Sequence, residues 1–160
     1  MSPVIRTLIF TVFVPGFWTL MMPYWLLPRA ARPALSGAGA AGWLLIAAGI
    51  ALYVACAFWG FALRGQGTPL PLDPPKKLVV EGPYAVVRNP MYWSVASAML
   101  GEAAVFHSWA LAEWATAFFL GANVFVLFFE EPALRRKFNT EYEEYCRRVP
   151  RWLPRFKRPA

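Results

Sequence analysis

Residues Ala38 to Leu63 run for 26 positions without one charged side chain. A helix crosses the hydrocarbon core of a bilayer with about 20 consecutive apolar residues, the working range being roughly 17–25. A surface helix of a soluble domain keeps a polar face, and this block has none. Three further apolar blocks flank it. Val4–Leu27 is interrupted only by Arg6 near its start and by Pro15, Gly16 and Pro23; Met91–Phe106 and Trp109–Phe129 are separated by His107-Ser108 alone. The third block is short and needs Pro90 or the His107 turn to complete a span. Proline inside a helix is costly in water, but neighbouring membrane helices re-satisfy the freed carbonyls. Composition agrees: 58% of residues are hydrophobic and 16% charged, against roughly 45–50% and 25% in an average soluble domain.

The expected fold is therefore an all-α integral membrane protein, with about four transmembrane helices plus a C-terminal amphipathic cytoplasmic helix. Residues 1–160 read as a single membrane domain. Two N-terminal spans occupy 1–63, a cytoplasmic Gly/Pro loop and motif 64–90, a helical hairpin 91–129, and an amphipathic basic tail 130–160. The first block reads as a span and not a cleaved signal, being longer than a typical signal core and carrying Trp18, Tyr24 and Trp25. Cys56 and Cys146 stand apart, outside any CxxC or Cys/His cluster, so neither a disulfide framework nor a metal site is expected.

Four spans put the N-terminus, residues 64–90 and the tail on one side. That side carries fourteen of the sixteen Lys and Arg residues, leaving Arg29 and Arg32 on the other. The positive-inside rule makes it the cytoplasmic side, with both termini. A net charge of +7 could equally suggest nucleic acid. Cations that flank membrane spans are better explained by anionic headgroups, so the bilayer is the expected partner and nucleic acid is not. In the tail, Leu134, Phe138, Tyr142, Tyr145 and Val149 recur at three- and four-residue steps, with charges on the other face. Glu130-Glu131-Pro132 suits the start of an amphipathic helix on the membrane surface. Alternatively the fourth span continues and kinks at Pro132. Pro150 and Pro154 end the helix.

Two polar sites converge on the cytoplasmic side. Leu78-Val79-Val80 is a short strand-like run, Gly82-Pro83-Tyr84 turns the chain, and Arg88-Asn89-Pro90-Met91-Tyr92 leads into the third span. An Arg and an Asn before a proline-started helix can hold an anionic group on its free N–H donors, or can simply snorkel and cap. Glu130-Glu131 closes the fourth span. Because the third and fourth spans share a tight turn, they are antiparallel neighbours, and the two sites meet at one depth as a polar pocket. Glu102 and Glu113 lie inside these spans, where a carboxylate is costly; a shared-proton pair between helices and a functional site are both open. His107 reads as interfacial.

Leu78-Val79-Val80-Glu81-Gly82-Pro83-Tyr84, Val87-Arg88-Asn89-Pro90-Met91-Tyr92, Glu130-Glu131 and Val149-Pro150-Arg151-Trp152, in this order, resemble the isoprenylcysteine carboxyl methyltransferase family, whose relatives include membrane phospholipid N-methyltransferases. The resemblance implies S-adenosylmethionine-dependent methylation of a lipid-like acceptor, a carboxylate, amine or thiol. It implies a cofactor site built from Leu78, Val79, Tyr84, Asn89, Pro90, Met91, Tyr92 and Glu130, with Arg88 and Glu130 as the catalytic candidates. Asn89 stands where the family has His, and Ser94 where a Gly is usual. Val126 replaces an Arg that eukaryotic members use for the substrate, which points away from a prenylcysteine carboxylate. Asn89 keeps its hydrogen-bonding capacity but is no acid or base. Two other functions compete: a nicotinamide-dependent membrane reductase of a related bundle, and a non-enzymatic adaptor whose basic tail binds lipid.

Overall fold

The computed structural model describes residues 3–28, 31–33, 36–65 and 76–155. Most of the Gly/Pro-rich run 65–75, with Arg29, Lys157 and Arg158, lies outside these residues. Among the described residues the chain is helical and contains no strand. Leu78-Val79-Val80, expected to be strand-like, forms neither strand nor helix.

The first apolar block forms α1 (Pro3–Phe13), a π-turn (Phe17–Met21) and α2 (Met22–Leu26). The widened turn follows Pro15, which cannot donate to the helix ladder; Thr19 Oγ1 donates to the Pro15 carbonyl at 2.8 Å. The charge-free block gives α3 (Gly37–Val54), continued by a π-helical run over Ala55–Gly65. A short 3-10 turn, Gly82–Ala85, precedes α4 (Pro90–Val105). The chain then reverses through His107, whose φ of 48° is left-handed, into α5 (Trp109–Phe125). Ser36 and Ser108 cap α3 and α5, accepting from the Gly39 and Leu111 N–H groups. Ser36 Oγ also lies 3.1 Å from His107 Nε2, so this end of the bundle is tied across its turns.

Three helical rods are long and apolar enough to cross a membrane: Val4–Leu26, Gly37–Gly60, and the one that begins at Trp109. α4 spans 16 residues, about 24 Å at 1.5 Å per residue, short of a roughly 30 Å hydrocarbon core. It is also the most buried helix, with Ser94, Val95, Met99, Gly101 and Val105 enclosed. The outer faces of the longer rods stay apolar and exposed, at Phe13, Leu20, Trp25, Leu44 and Leu120. A water-soluble protein seldom leaves so much apolar surface uncovered.

α3 and α4 approach backbone to backbone. A Cβ on Gly42 would lie 2.6 Å from the Gly101 carbonyl oxygen, and one on Gly101 would lie 2.6 Å from that of Gly42. Gly49 meets the Ser94 carbonyl just as closely. Small residues replace hydrophobic collapse as the means of packing helices in lipid, because tails are as apolar as leucine.

The rod that begins at Trp109 does not stop at Glu130. α5 continues through a π-turn (Val126–Glu130) into α6 (Glu131–Arg148), with helical backbone at both glutamates and Pro132 near the start of the new segment. The break falls later, at Asn139 (φ 46°, ψ −121°), a positive-φ conformation outside both helical regions. Beyond it, Tyr142, Tyr145 and Val149 are buried against Leu78, Leu134, Phe138 and Cys146. The apolar stripe read from the sequence thus packs onto this molecule, bent at Asn139. The helix ends at Arg148, just before Pro150.

Candidate active site

The site lies where the first turn of α4 meets the π-turn that closes α5. Pro90 is at the first helical position of α4, where its missing N–H costs nothing. Two residues on, the Tyr92 hydroxyl donates to Glu130 Oε2 at 2.8 Å. Successive helical side chains diverge by about 100°, so Glu131 points elsewhere. It accepts from Arg151 Nε at 2.7 Å and Nη2 at 2.9 Å, and pairs with Arg88 Nη1 at 2.9 Å. The Glu-Glu pair expected to share one pocket is therefore split between two environments.

Glu130 has Tyr92 on one side and lies within electrostatic reach of Tyr84. Burial pushes the Tyr84 phenol well above its usual range, and the nearby Cys56, Glu130 and Tyr145 groups add to this. Tyr84 is enclosed with Cys56 and Val79, and Leu52 and Met91 pack against them. Gly82 is what allows this turn: its φ is +59°, and a Cβ there would meet the Trp59 ring at 2.4 Å. Met91 and Tyr92 also wall a cavity of about 460 Å³, whose other faces come from Phe10, Trp18, Tyr53, Phe118 and Phe125. That volume falls in the roughly 300–1,000 Å³ of small-molecule sites. Trp18, in the π-turn after α1, stacks on Trp114 at 4.7 Å, which fixes that wall of the cavity.

The second environment is a clasp. Residues 149–152 return to the start of α4: Arg88 N–H donates to the Pro150 carbonyl at 2.9 Å, Asn89 Nδ2 to that of Arg151 at 3.3 Å, and Trp93 Nε1 to that of Trp152 at 2.9 Å. Trp152 Nε1 donates in turn to Asn123 Oδ1 at 2.8 Å, and its ring lies 6.1 Å from that of Tyr92. Tyr145 donates to the Tyr84 carbonyl at 2.7 Å. The bond to Glu131 holds the Arg151 guanidinium above its ordinary value, so it stays charged.

Of the residues singled out from the sequence, Val79, Tyr84, Met91, Tyr92 and Glu130 gather at the first environment, with Pro90 buried beside them. Leu78 packs on the Tyr142–Tyr145–Val149 cluster. Asn89 occupies the N-cap position of α4 without capping it, its amide being turned to Arg151. Arg88 is engaged by Glu131 and by Cys146 Sγ at 2.8 Å, while its buried Nε has no hydrogen-bond partner among the described residues. No hydrogen bond joins Glu102 to Glu113; Glu102 is half-buried and Glu113 exposed on the outer face of α5. Val126 is fully buried. Arg151, Trp152 and Asn123 carry the clasp without having been assigned a role from the sequence. The ordered Val-Pro-Arg-Trp run was the signal that pointed to the first two; no sequence signal singled out Asn123.

No group of three or more His, Cys, Asp or Glu side chains able to hold a metal occurs among the described residues. No curated protein and no solved structure matches the chain. The phospholipid methyltransferase family profile matches residues 38–141, from the first turn of α3 to the residue before Tyr142, and so takes in Tyr84, Tyr92 and Glu130. That family is the relative of the isoprenylcysteine carboxyl methyltransferases to which the sequence motifs had pointed. With well over half its length matched, the chain belongs to the phospholipid methyltransferase family of membrane methyltransferases.

Proposed function

We propose that the protein transfers a methyl group from S-adenosylmethionine to a lipid-like acceptor at the cytoplasmic face of the membrane. The observation that carries the reading is the Tyr92–Glu130 pair, set at the edge of an apolar cavity of about 460 Å³. A half-buried carboxylate beside an apolar chamber suits a ligand that is cationic at one end and apolar at the other. S-adenosylmethionine, when bound, supplies an electrophilic methyl group on a cationic sulfur.

The chain's own contribution is alignment, which is most of what an in-line displacement requires. Tyr92 fixes the Glu130 carboxylate, which attracts a cationic or hydroxyl part of the cofactor. Val79, Tyr84, Pro90 and Met91 form the wall against its apolar parts, Leu78 supports that wall, and Asn89 holds the clasp over it. The unused Nε of Arg88 is a donor for the cofactor's carboxylate or for an anionic acceptor.

In this reading α4 is the fourth membrane-crossing helix, its short length tolerated because the longer rods surround it. α6 lies on the cytoplasmic side, with both termini, and its cations seat it on anionic headgroups. Incubating the protein with radiolabelled S-adenosylmethionine and a total membrane lipid extract tests the proposal. Label should move to an organic-soluble lipid. If it moves only to water-soluble acceptors, or not at all, the proposal fails.

A further inference from the structure

Two apolar cavities share three of their lining residues. The first is the 460 Å³ chamber behind Tyr92, walled by Trp18 and Phe118. The second, of about 800 Å³, is a groove between α1 and α3 among Leu20, Ile50 and Phe58. Leu20 and Ile50 are well exposed on the outer surface, so a bilayer's lipid chains have direct access to the groove. Pro15, Tyr53 and Val95 are the residues that line both.

Of these three, Pro15 and Val95 are stiff, the one by its ring and the other by branching at Cβ. Tyr53 is long and turns about two bonds. Its hydroxyl lies 2.8 Å from Thr11 Oγ1. Thr11 has one hydroxyl hydrogen and donates it to the Thr7 carbonyl at 2.7 Å, so Tyr53 is the donor in the bond between them. Tyr53 therefore reaches from α3 to α1 across the junction of the two cavities, held by one neutral hydrogen bond.

We propose that Tyr53 is a specificity-determining residue, its ring setting which apolar chains pass from the membrane groove into the chamber at Tyr92. This rests on the reading of Tyr92–Glu130 as the methyl-transfer site. An aliphatic chain leaving lipid for an apolar chamber exchanges one hydrocarbon environment for another. Apolarity cannot then select among the chains that cross the junction, and shape there must. Thr11 holds the ring across the junction; loss of that bond frees the ring without shortening it.

The test uses the full-length protein in phosphatidylcholine vesicles containing palmitic acid with a terminal diazirine. No cofactor is added, and adducts are located by mass spectrometry after illumination. The wild type should carry adducts in the groove, at Leu20 or Ile50, and in the chamber, at Trp18 or Phe118. Tyr53→Trp should lose the chamber adducts and keep those of the groove, which also report that it is folded. Tyr53→Ala should raise the chamber-to-groove ratio, and it decides the matter if the bulkier variant loses both. An unchanged ratio in the folded variants, or no chamber adduct in the wild type, would overturn the proposal. Because no methyl transfer is involved, a positive pattern in a protein that proves inactive removes the methyltransferase reading and leaves the passage standing.

Discussion

Glu130 and Glu131 share a peptide bond and face different partners. The first accepts a hydrogen bond from Tyr92 at 2.8 Å, while the second is gripped by Arg151 at 2.7 and 2.9 Å and by Arg88 at 2.9 Å. Adjacent helical positions point about 100° apart, and the π-turn over Val126–Glu130 sets the faces on which the two fall. It separates a carboxylate beside the apolar chamber from one that binds the C-terminal segment to the bundle.

Substitutions at the two glutamates should therefore separate binding from stability. Glu130→Gln keeps an acceptor for Tyr92, so its thermal unfolding temperature in detergent should stay close to wild type. Loss of a charge-assisted hydrogen bond of about 1.5–3 kcal/mol should weaken S-adenosylmethionine binding by roughly ten- to a hundredfold in calorimetry. Unchanged affinity would remove Glu130 from the cofactor site.

Glu131→Gln should do the reverse. It leaves the Arg88 guanidinium buried without its counter-charge, and breaking a buried pair from one side costs about 3–5 kcal/mol. Arg151 is a third exposed, which places the expected loss near the lower end. A marked fall in unfolding temperature is expected, with the cofactor affinity of the protein that remains folded little altered. Arg151→Lys should recover only part of the stability, since an ammonium cannot make the two-pronged contact.

The broad plan could be read from the chain because hydrophobic block length is a direct measure of what crosses a bilayer. Ala38–Leu63 predicted α3 and its continuation, and His107-Ser108 predicted the α4–α5 reversal. Proximity of Tyr92 to Glu130 followed from that hairpin alone. What the sequence hid were directions. Periodicity separates the faces of a helix, but a π-turn adds a residue and rotates everything after it, so the partners of Glu130 and Glu131 could not be assigned. The bend at Asn139 was equally hidden: Leu134, Phe138, Tyr142 and Tyr145 keep helical spacing straight through it. Leu78-Val79-Val80 looked like a strand because β-branched residues favour extended chain, but it has no neighbouring strand to pair with among the described residues.

The α3–α4 contact makes a sharper prediction than the size of the change suggests. Gly101→Ala adds one methyl group, 2.6 Å from the Gly42 carbonyl and 2.9 Å from the Ile46 nitrogen. Backbone atoms cannot yield as a side chain can, so the helices must separate. Overpacking of this kind costs about 1–3 kcal/mol, and the separation would shift α4 relative to α5, moving Tyr92 from Glu130. Both a lowered unfolding temperature and weaker cofactor binding are expected. Gly37→Ala, which meets nothing within 4 Å and lies outside the chamber, is the control and should change neither.

Asn89 supplies the last prediction, because its amide donates to the Arg151 carbonyl and accepts no capping duty on α4. Asn89→Ala removes that bond and should cost about 1 kcal/mol, the net worth of one neutral hydrogen bond. Asn89→Asp should cost more, since a carboxylate has no hydrogen to donate and would face the carbonyl oxygen directly. Asn89→His restores a donor and should come closest to wild type. The readout is limited trypsin digestion after the exposed Arg147 and Arg148: cleavage should quicken in the order His, Ala, Asp as the clasp loosens. Equal rates in all three would mean that the Asn89 bond does not hold the C-terminal segment, leaving that work to Arg151, Trp93 and Trp152.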